Sequence, residues 1–298
     1  MRFEDNRNFI GYNHPITFGG FLLVMLYKIF LVIVLTSGAS FGWADQQIEI
    51  HDAHIHYDDE MWKTLSPDDA LQILKDLNIK RVLVSSTPTE GAAMLYAADN
   101  KMVIPMLRPY HSWRHRYFWF KDPELKNYLL SQLKLAPYKG IGEFHVSGRD
   151  MDTPQIEQMI ELAREYKLAL HAHTDLEGMQ ILLKKATGLV VIWAHGGFDV
   201  PLLRLSKMLE QYPEFYIELS LRKGMLDYDE KLTKQWKHAL IKYHQRFLIG
   251  MDTYKPSRWA DLPEISSDSR NWLKQLPDHV TADIARNNLD RLFPENKH

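Results

Sequence analysis

Ile50-His51-Asp52-Ala53-His54-Ile55-His56 decides how the rest of the chain is read. The stretch reads as a short β-strand that ends in two histidines. Side chains alternate across a strand, so His54 and His56 point to one face. Two imidazoles one pleat apart can close on a single metal ion, and imidazole suits zinc, copper, iron and nickel. An isolated His-x-His is also a common polar strand end. The metal reading therefore needs later strands to finish in the same way.

Outward from this stretch, strand-like and helix-like segments alternate. Residues 81–85 (RVLVS) form a short apolar run rich in β-branched residues. Segments 102–107, 140–146, 168–171, 189–195, 215–219 and 247–252 also read as strands. Between them lie helical patterns over 67–77, 91–98, 123–135, 154–166, 176–185, 201–211 and 229–243, with a closing helix over 282–292. Ser66-Pro67-Asp68-Asp69 marks one helix start with a cap, a proline and two acids, and Thr153 caps another. Segment 258–272, opening Arg258-Trp259 and rich in Ser and Asp, reads as a long loop after the last strand. Eight strands, most followed by a helix, imply parallel strands with right-handed crossovers. The expected architecture is a (β/α)8 TIM barrel, a single domain over residues 45–298, since eight such units take about 250 residues. An open doubly wound sheet is the alternative, but no G-x-G-x-x-G follows the first strand.

The 298 residues are 45% hydrophobic and 25% charged, with a formal charge of −2. This is ordinary globular composition. No long basic run is present, so nucleic-acid binding has no support. The chain has no cysteine. Disulfides, thiolate ligands and a cysteine nucleophile are excluded, and any metal must sit among His, Asp and Glu.

Residues 1–44 read as an N-terminal extension and secretory signal peptide. Residues 29–35 are a continuous apolar run, Lys28 precedes it, and Gly42-Trp43-Ala44 supplies small residues at a cleavage site. Met25 could be the initiator, with 1–24 an upstream extension. The mature chain would start at Asp45. The competing reading is an uncleaved membrane anchor, although the run falls short of the roughly 20 residues a bilayer span needs. N-terminal sequencing of the exported protein separates the two. Export without cysteines points to a bacterial periplasm.

In such barrels the chemistry lies at the C-terminal ends of the strands. Strand 1 ends in His54 and His56, and strand 4 carries Glu143. Strand 5 ends Leu170-His171-Ala172-His173, strand 6 ends Ala194-His195-Gly196-Gly197, and strand 8 ends Gly250-Met251-Asp252. Any one of these could be a helix cap or a satisfied polar strand end. Repeated on five of eight strands, they form a constellation. Neutral histidines and carboxylates suit Zn2+ or Mn2+. A catalytic zinc lowers the pKa of a water to about 7, and a carboxylate beside that water can take its proton. Asp252 is the candidate for this role.

His54, His56, Glu143, His171, His195 and Asp252, in this order, resemble the ligand set of the amidohydrolase superfamily. The similarity lies with its amidohydrolase-related branch of metal-dependent barrel hydrolases, and it covers nearly all of the chain after the leader. In that superfamily strand 1 carries His-x-His, strand 4 a Lys or Glu, strands 5 and 6 one His each, and strand 8 an Asp. Residues 285–293 resemble the family's closing N-x-x-R-L-F helix, and Gly142-Glu143 resembles the Gly-Glu of the metal-dependent deoxyribonuclease branch, where the glutamate is a ligand. The resemblance implies one or two divalent ions, Zn2+ foremost, held by His54, His56, Glu143, His171, His195 and Asp252. It implies Asp252 as general base, and His195 as ligand or as a polarising group. Glu143 could instead ligate a second metal, orient a water or bind substrate. The family's ligand directly follows the apolar run of strand 5, which matches His171 and leaves His173 as a substrate or supporting contact. His145 shares the face of Glu143 and could also reach the site. Position 143 is not lysine, so no carbamylated-lysine bridge is expected.

Residues 108–120 are dense in arginine and aromatics. They read either as a wall over the site, with Arg108 as a fork for an anionic substrate, or as a loop packing on the barrel mouth. Ser220 and Arg222 at the end of strand 7 could reach substrate, and Gly196-Gly197 would let backbone approach a ligand. The expected activity is hydrolysis of a small-molecule ester, lactone or amide. A non-oxidative decarboxylase of an unsaturated or aromatic acid is the enzymatic alternative, and release of carbon dioxide would separate it. An exported metal or ligand binder without catalysis is the alternative of another class, but a binder has no need of Asp252 beside a water.

Overall fold

The computed structural model describes residues 47–295. The leader expected over 1–44, with its cleavage site, lies outside the described residues. Eight strands form one sheet in sequence order: β1 (Ile50–His56), β2 (Ile79–Ser85), β3 (Val103–Leu107), β4 (Gly140–His145), β5 (Ala169–His173), β6 (Val191–Trp193), β7 (Phe215–Glu218) and β8 (Phe247–Leu248). All seven adjacent pairs are parallel, with helices between the strands. This is the expected (β/α)8 barrel.

Closure runs from β8 to β1. The assigned β8 is two residues long, yet Ala53 N–H donates to Ile249 O at 2.8 Å and Asp252 N–H donates to His54 O at 2.7 Å. Side chains complete the seam. The Thr253 hydroxyl accepts from His56 N–H at 2.8 Å and donates to His56 O at 2.9 Å. Asp52 Oδ1 accepts from the N–H groups of His54 (2.9 Å) and Met251 (3.1 Å). Burial pushes the Asp52 carboxyl up to about 8, and the two backbone donors and the nearby His54 offset only part of its desolvation. The far end of the barrel is apolar: Ala53, Leu83, Ile104, Met106, Ile192 and Leu248 pack against Leu289 and Phe293 of the closing segment. Arg81 pins that segment through Asp290 and Phe293 O.

Helix starts follow the caps. Ser66 Oγ accepts from Asp69 N–H at 3.2 Å at the head of Pro67–Asp76, and Thr153 Oγ1 accepts from Ile156 N–H at 3.3 Å at the head of Pro154–Glu165. Three expectations are corrected. The helix expected over 229–243 spans Lys234–Lys242, because Asp227 Oδ1 takes the N–H groups of Asp229 and Lys231 and holds a turn there. The loop expected over 258–272 is two helices, Pro256–Ala260 and Leu262–Leu273, each opened by a proline. The closing helix is three pieces with a π-helical turn at Asp283–Asn287. Among the described residues no helix is long and apolar enough to cross a membrane.

Candidate metal centre

Strand ends bring the expected residues to one place, and the backbone is strained to do so. His195 has φ 59° and Asp252 has φ 53°. Left-handed φ at residues bearing a Cβ costs on the order of 1–3 kcal/mol and persists where surrounding structure imposes it. Two glycines make the room. A Cβ on Gly142 would stand 2.3 Å from His171 O, and one on Gly250 would stand 2.2 Å from Glu218 Oε1 and 2.8 Å from His54 Cβ. Gly196 and Gly197, expected to admit a ligand, instead lie close to Ile217 and Trp193 side chains.

The centre itself is buried. His54 Nε2 lies 3.6 Å from Glu143 Oε1 and 3.6 Å from Asp252 Oδ1. His195 Nε2 lies 3.6 Å from Glu143 Oε1 and 4.0 Å from Asp252 Oδ2. These separations are too long for hydrogen bonds. They approach the edges of a tetrahedron around zinc, which are about 3.3–3.4 Å for bonds of about 2.0–2.1 Å. Burial alone would raise both carboxyls. Neighbouring histidines outweigh it, His145 and His54 at Glu143, His54 and His56 at Asp252, and hold both well below the usual carboxylate range.

Ring tautomers are set from behind by Glu218, which is fully buried at the end of β7. Burial works to raise its carboxyl, but His54 draws it down to about 2. Glu218 Oε2 accepts from His54 Nδ1 at 2.8 Å. Against the pull of burial, Asp252, Glu143 and Glu218 hold the His54 ring well above the ordinary histidine range, so Nε2 would turn a lone pair toward the centre only once an ion displaced its proton, with the Nδ1 proton kept by Glu218. The Ser220 carbonyl accepts from His195 Nδ1 at 3.0 Å, which keeps a proton on Nδ1 of that ring. The Ser220 hydroxyl lies 2.9 Å from His195 Nδ1 and donates to Glu218 Oε2 at 2.9 Å. One carboxylate thus orients His54 directly and His195 through Ser220. The residue pattern Phe-Tyr-Ile-Glu, an acid directly after an apolar run, could have singled out Glu218 as it did Glu143.

His56 differs. Its Nε2 lies 3.0 Å from His54 Nε2, 3.2 Å from Asp252 Oδ1 and 3.4 Å from Glu143 Oε2. Distance alone would admit it as a ligand. However, Arg108 NH2 lies 3.2 Å from His56 Nδ1, and a guanidinium can only donate. In the neutral ring the proton then sits on Nε2, so ligation by that nitrogen would require the Arg108 contact to be given up.

Arg108 braces the centre from the side. The expected substrate fork lines the cavity, but it is fully buried and most of its donors are engaged inside the protein. Nε donates to Glu143 O at 2.8 Å, NH1 to Thr87 Oγ1 at 2.7 Å and NH2 to Glu143 Oε2 at 3.0 Å. It braces Glu143 and His56. Arg108→Met should cost about 3–5 kcal/mol of stability, because the Glu143 carboxylate loses its buried partner. Chemical unfolding of the two proteins measures this, and equal stability would show that these bonds contribute nothing net.

The other expected contacts divide by depth. β4 pairs Gly142 with His171 and His145 with His173. His171 therefore sits about two strand residues, roughly 6–7 Å, below His173. It groups with His54 and Glu218, and neither of its buried ring nitrogens has a hydrogen-bond partner. Burial, then the charge of His54, holds it near 3, so the ring is neutral. A neutral ring with both nitrogens unpartnered beside His54 is what a ligand offers, so His171 stays a candidate deeper in the barrel. His173 Nδ1 donates to Glu143 Oε1 at 2.8 Å and stacks on His145 with centroids 4.2 Å apart. Both line a cavity of about 440 Å³ that opens over the centre, with Trp113, Phe198, Leu221 and Tyr254 on its walls. Ser220 and Arg222, expected near substrate, are otherwise engaged: Ser220 as above, and Arg222 on Phe198 O and Val200 O.

No family model and no curated protein matches this chain by sequence. Solved structures do match by fold. An Acinetobacter baumannii protein named a probable 2-pyrone-4,6-dicarboxylic acid hydrolase, with citric acid bound, superposes with TM-score 0.57 at 12% identity, over 82% of this chain and 99% of that one. An amidohydrolase from Burkholderia multivorans with bound zinc gives 0.54 at 14%, over 82% and 98%. Amidohydrolase 2 from Bifidobacterium longum subsp. infantis gives 0.50 at 15%, over 82% and 98%. At these identities the shared property is the barrel: the chain has the fold of the amidohydrolase proteins.

Proposed function

We propose that the protein is a metal-dependent hydrolase of a small-molecule ester, lactone or amide. The observation that carries this reading is the convergence of His54 Nε2 and His195 Nε2 on Glu143 and Asp252 beneath an open cavity. Those four side chains would hold the ion. Zinc is the ion proposed, from the borderline character of the donor set and from the zinc bound in the Burkholderia multivorans neighbour. When bound, such an ion supplies Lewis acidity that polarises a carbonyl and lowers the pKa of a water.

The rest falls to the chain's own groups. Asp252, at the cavity floor, takes the proton of the attacking water and returns it to the leaving oxygen or nitrogen. His56, its Nε2 3.2 Å from Asp252 Oδ1, donates to that carboxylate and orients it. Glu218 and Ser220 keep the Nδ1 protons of His54 and His195, with both Nε2 atoms facing inward. Trp113, Phe198 and Leu221 receive the body of the substrate and exclude water from it.

The test is a panel of esters, lactones and amides offered to chelator-stripped and zinc-reconstituted protein. Turnover of at least one substrate should vanish on stripping and return with zinc. Turnover indifferent to stripping, or none by zinc-loaded protein on the whole panel, would contradict the proposal.

A further inference from the structure

Beside Arg108, whose donors are largely engaged by Glu143, Thr87 and His56, the cavity has a second guanidinium. Arg116 stands on the short turn His115–Tyr117 that follows β3, and it lines the cavity together with Trp113. Its guanidinium lies 5.0 Å from the Trp113 ring centroid and 4.9 Å from that of Tyr117, and NH2 donates to the Tyr117 hydroxyl at 2.8 Å. Among the described residues the arginine ion pairs are made by Arg81, Arg108, Arg149, Arg286 and Arg291, so no carboxylate pairs with Arg116. A guanidinium seated on aromatic faces keeps in-plane N–H groups free, and that edge matches the two oxygens of a carboxylate.

We infer that Arg116 is a specificity-determining residue that binds a carboxylate of the substrate. The substrate class is then a small carboxylic acid that also carries the scissile ester, lactone or amide. Phe198, Leu221 and Tyr254 on the other walls favour a flat or apolar body between the two groups. This substrate class rests on the hydrolase reading, but the recognition of a carboxylate by Arg116 can be measured without turnover.

The experiment is 19F NMR titration of zinc-loaded protein with 4-fluorobenzoate and with 4-fluorobenzamide, which differ in charge and little in shape. Wild type should bind the benzoate about tenfold more tightly, in keeping with one charge-assisted hydrogen bond. Arg116→Gln should lose that preference by weakening the benzoate alone, and Arg116→Lys should recover part of it. Three results would overturn the inference: no preference in wild type, an Arg116→Gln protein that binds the benzoate as wild type does, or equal weakening of both probes. The second would leave the carboxylate to the metal centre. Arg116 is only partly buried, so the glutamine variant should fold, and its melting temperature checks that. Benzoate binding that depends on Arg116 without turnover on the ester, lactone and amide panel would sink the hydrolase reading and leave the carboxylate site standing.

Discussion

Asp252→Asn should retain most of its metal and lose about 10²–10⁴-fold in kcat, the usual consequence of removing a general base. Three observations lead there. Asp252 sits at the cavity floor, with Oδ1 3.6 Å from His54 Nε2 and Oδ2 4.0 Å from His195 Nε2. His54, His195 and Glu143 remain in the variant, and asparagine nearly matches the shape of aspartate, so the centre should not collapse. The amide, however, cannot accept a proton from water. The left-handed backbone at this residue (φ 53°) also suits asparagine, which tolerates that region better than most side chains. Metal content and kcat on purified wild type and variant are the measurements. Near-normal kcat with full metal would take the base away from Asp252 and give it to Glu143.

Glu218→Gln should lower zinc affinity about 10–100-fold, the range seen when the hydrogen-bond partner of a ligating histidine is removed. The carboxylate can only accept, so it holds the His54 proton on Nδ1. An amide can donate to that nitrogen instead, which would move the proton to Nε2 and block the nitrogen that faces the centre. Ser220→Ala should have the smaller effect, because the Ser220 carbonyl still accepts from His195 Nδ1. Competition against a chromophoric chelator gives the affinities, and circular dichroism checks the fold. Wild-type affinity in Glu218→Gln would show that the buried carboxylate is structural only.

The barrel was legible because its signals are local. Short apolar runs alternate with capped helical patterns, and Ser66 and Thr153 cap as their positions imply. Segment 258–272 was misread because its serines and aspartates hid a helical spacing. Trp259, Leu262, Trp272 and Leu273 are buried on one side of two helices, and Ser266 and Ser269 are buried with them. His54, His195, Glu143 and Asp252 were legible because each directly ends or follows an apolar run. Their partners were not, because side-chain pairing across a barrel has no sequence period. Glu218 meets His54 across 164 positions, and Arg108 meets Glu143 across 35. The depths of His171 and His173 along the strand are fixed by the pairing of β5 with β4 and not by the run of apolar residues before them.

The most direct test of the metal centre is anomalous diffraction at the zinc edge from crystals of zinc-loaded protein. The account predicts a peak bonded at about 2.0–2.2 Å to His54 Nε2, His195 Nε2, Glu143 and Asp252. A peak on other side chains, or none in crystals that contain equimolar zinc, would contradict it.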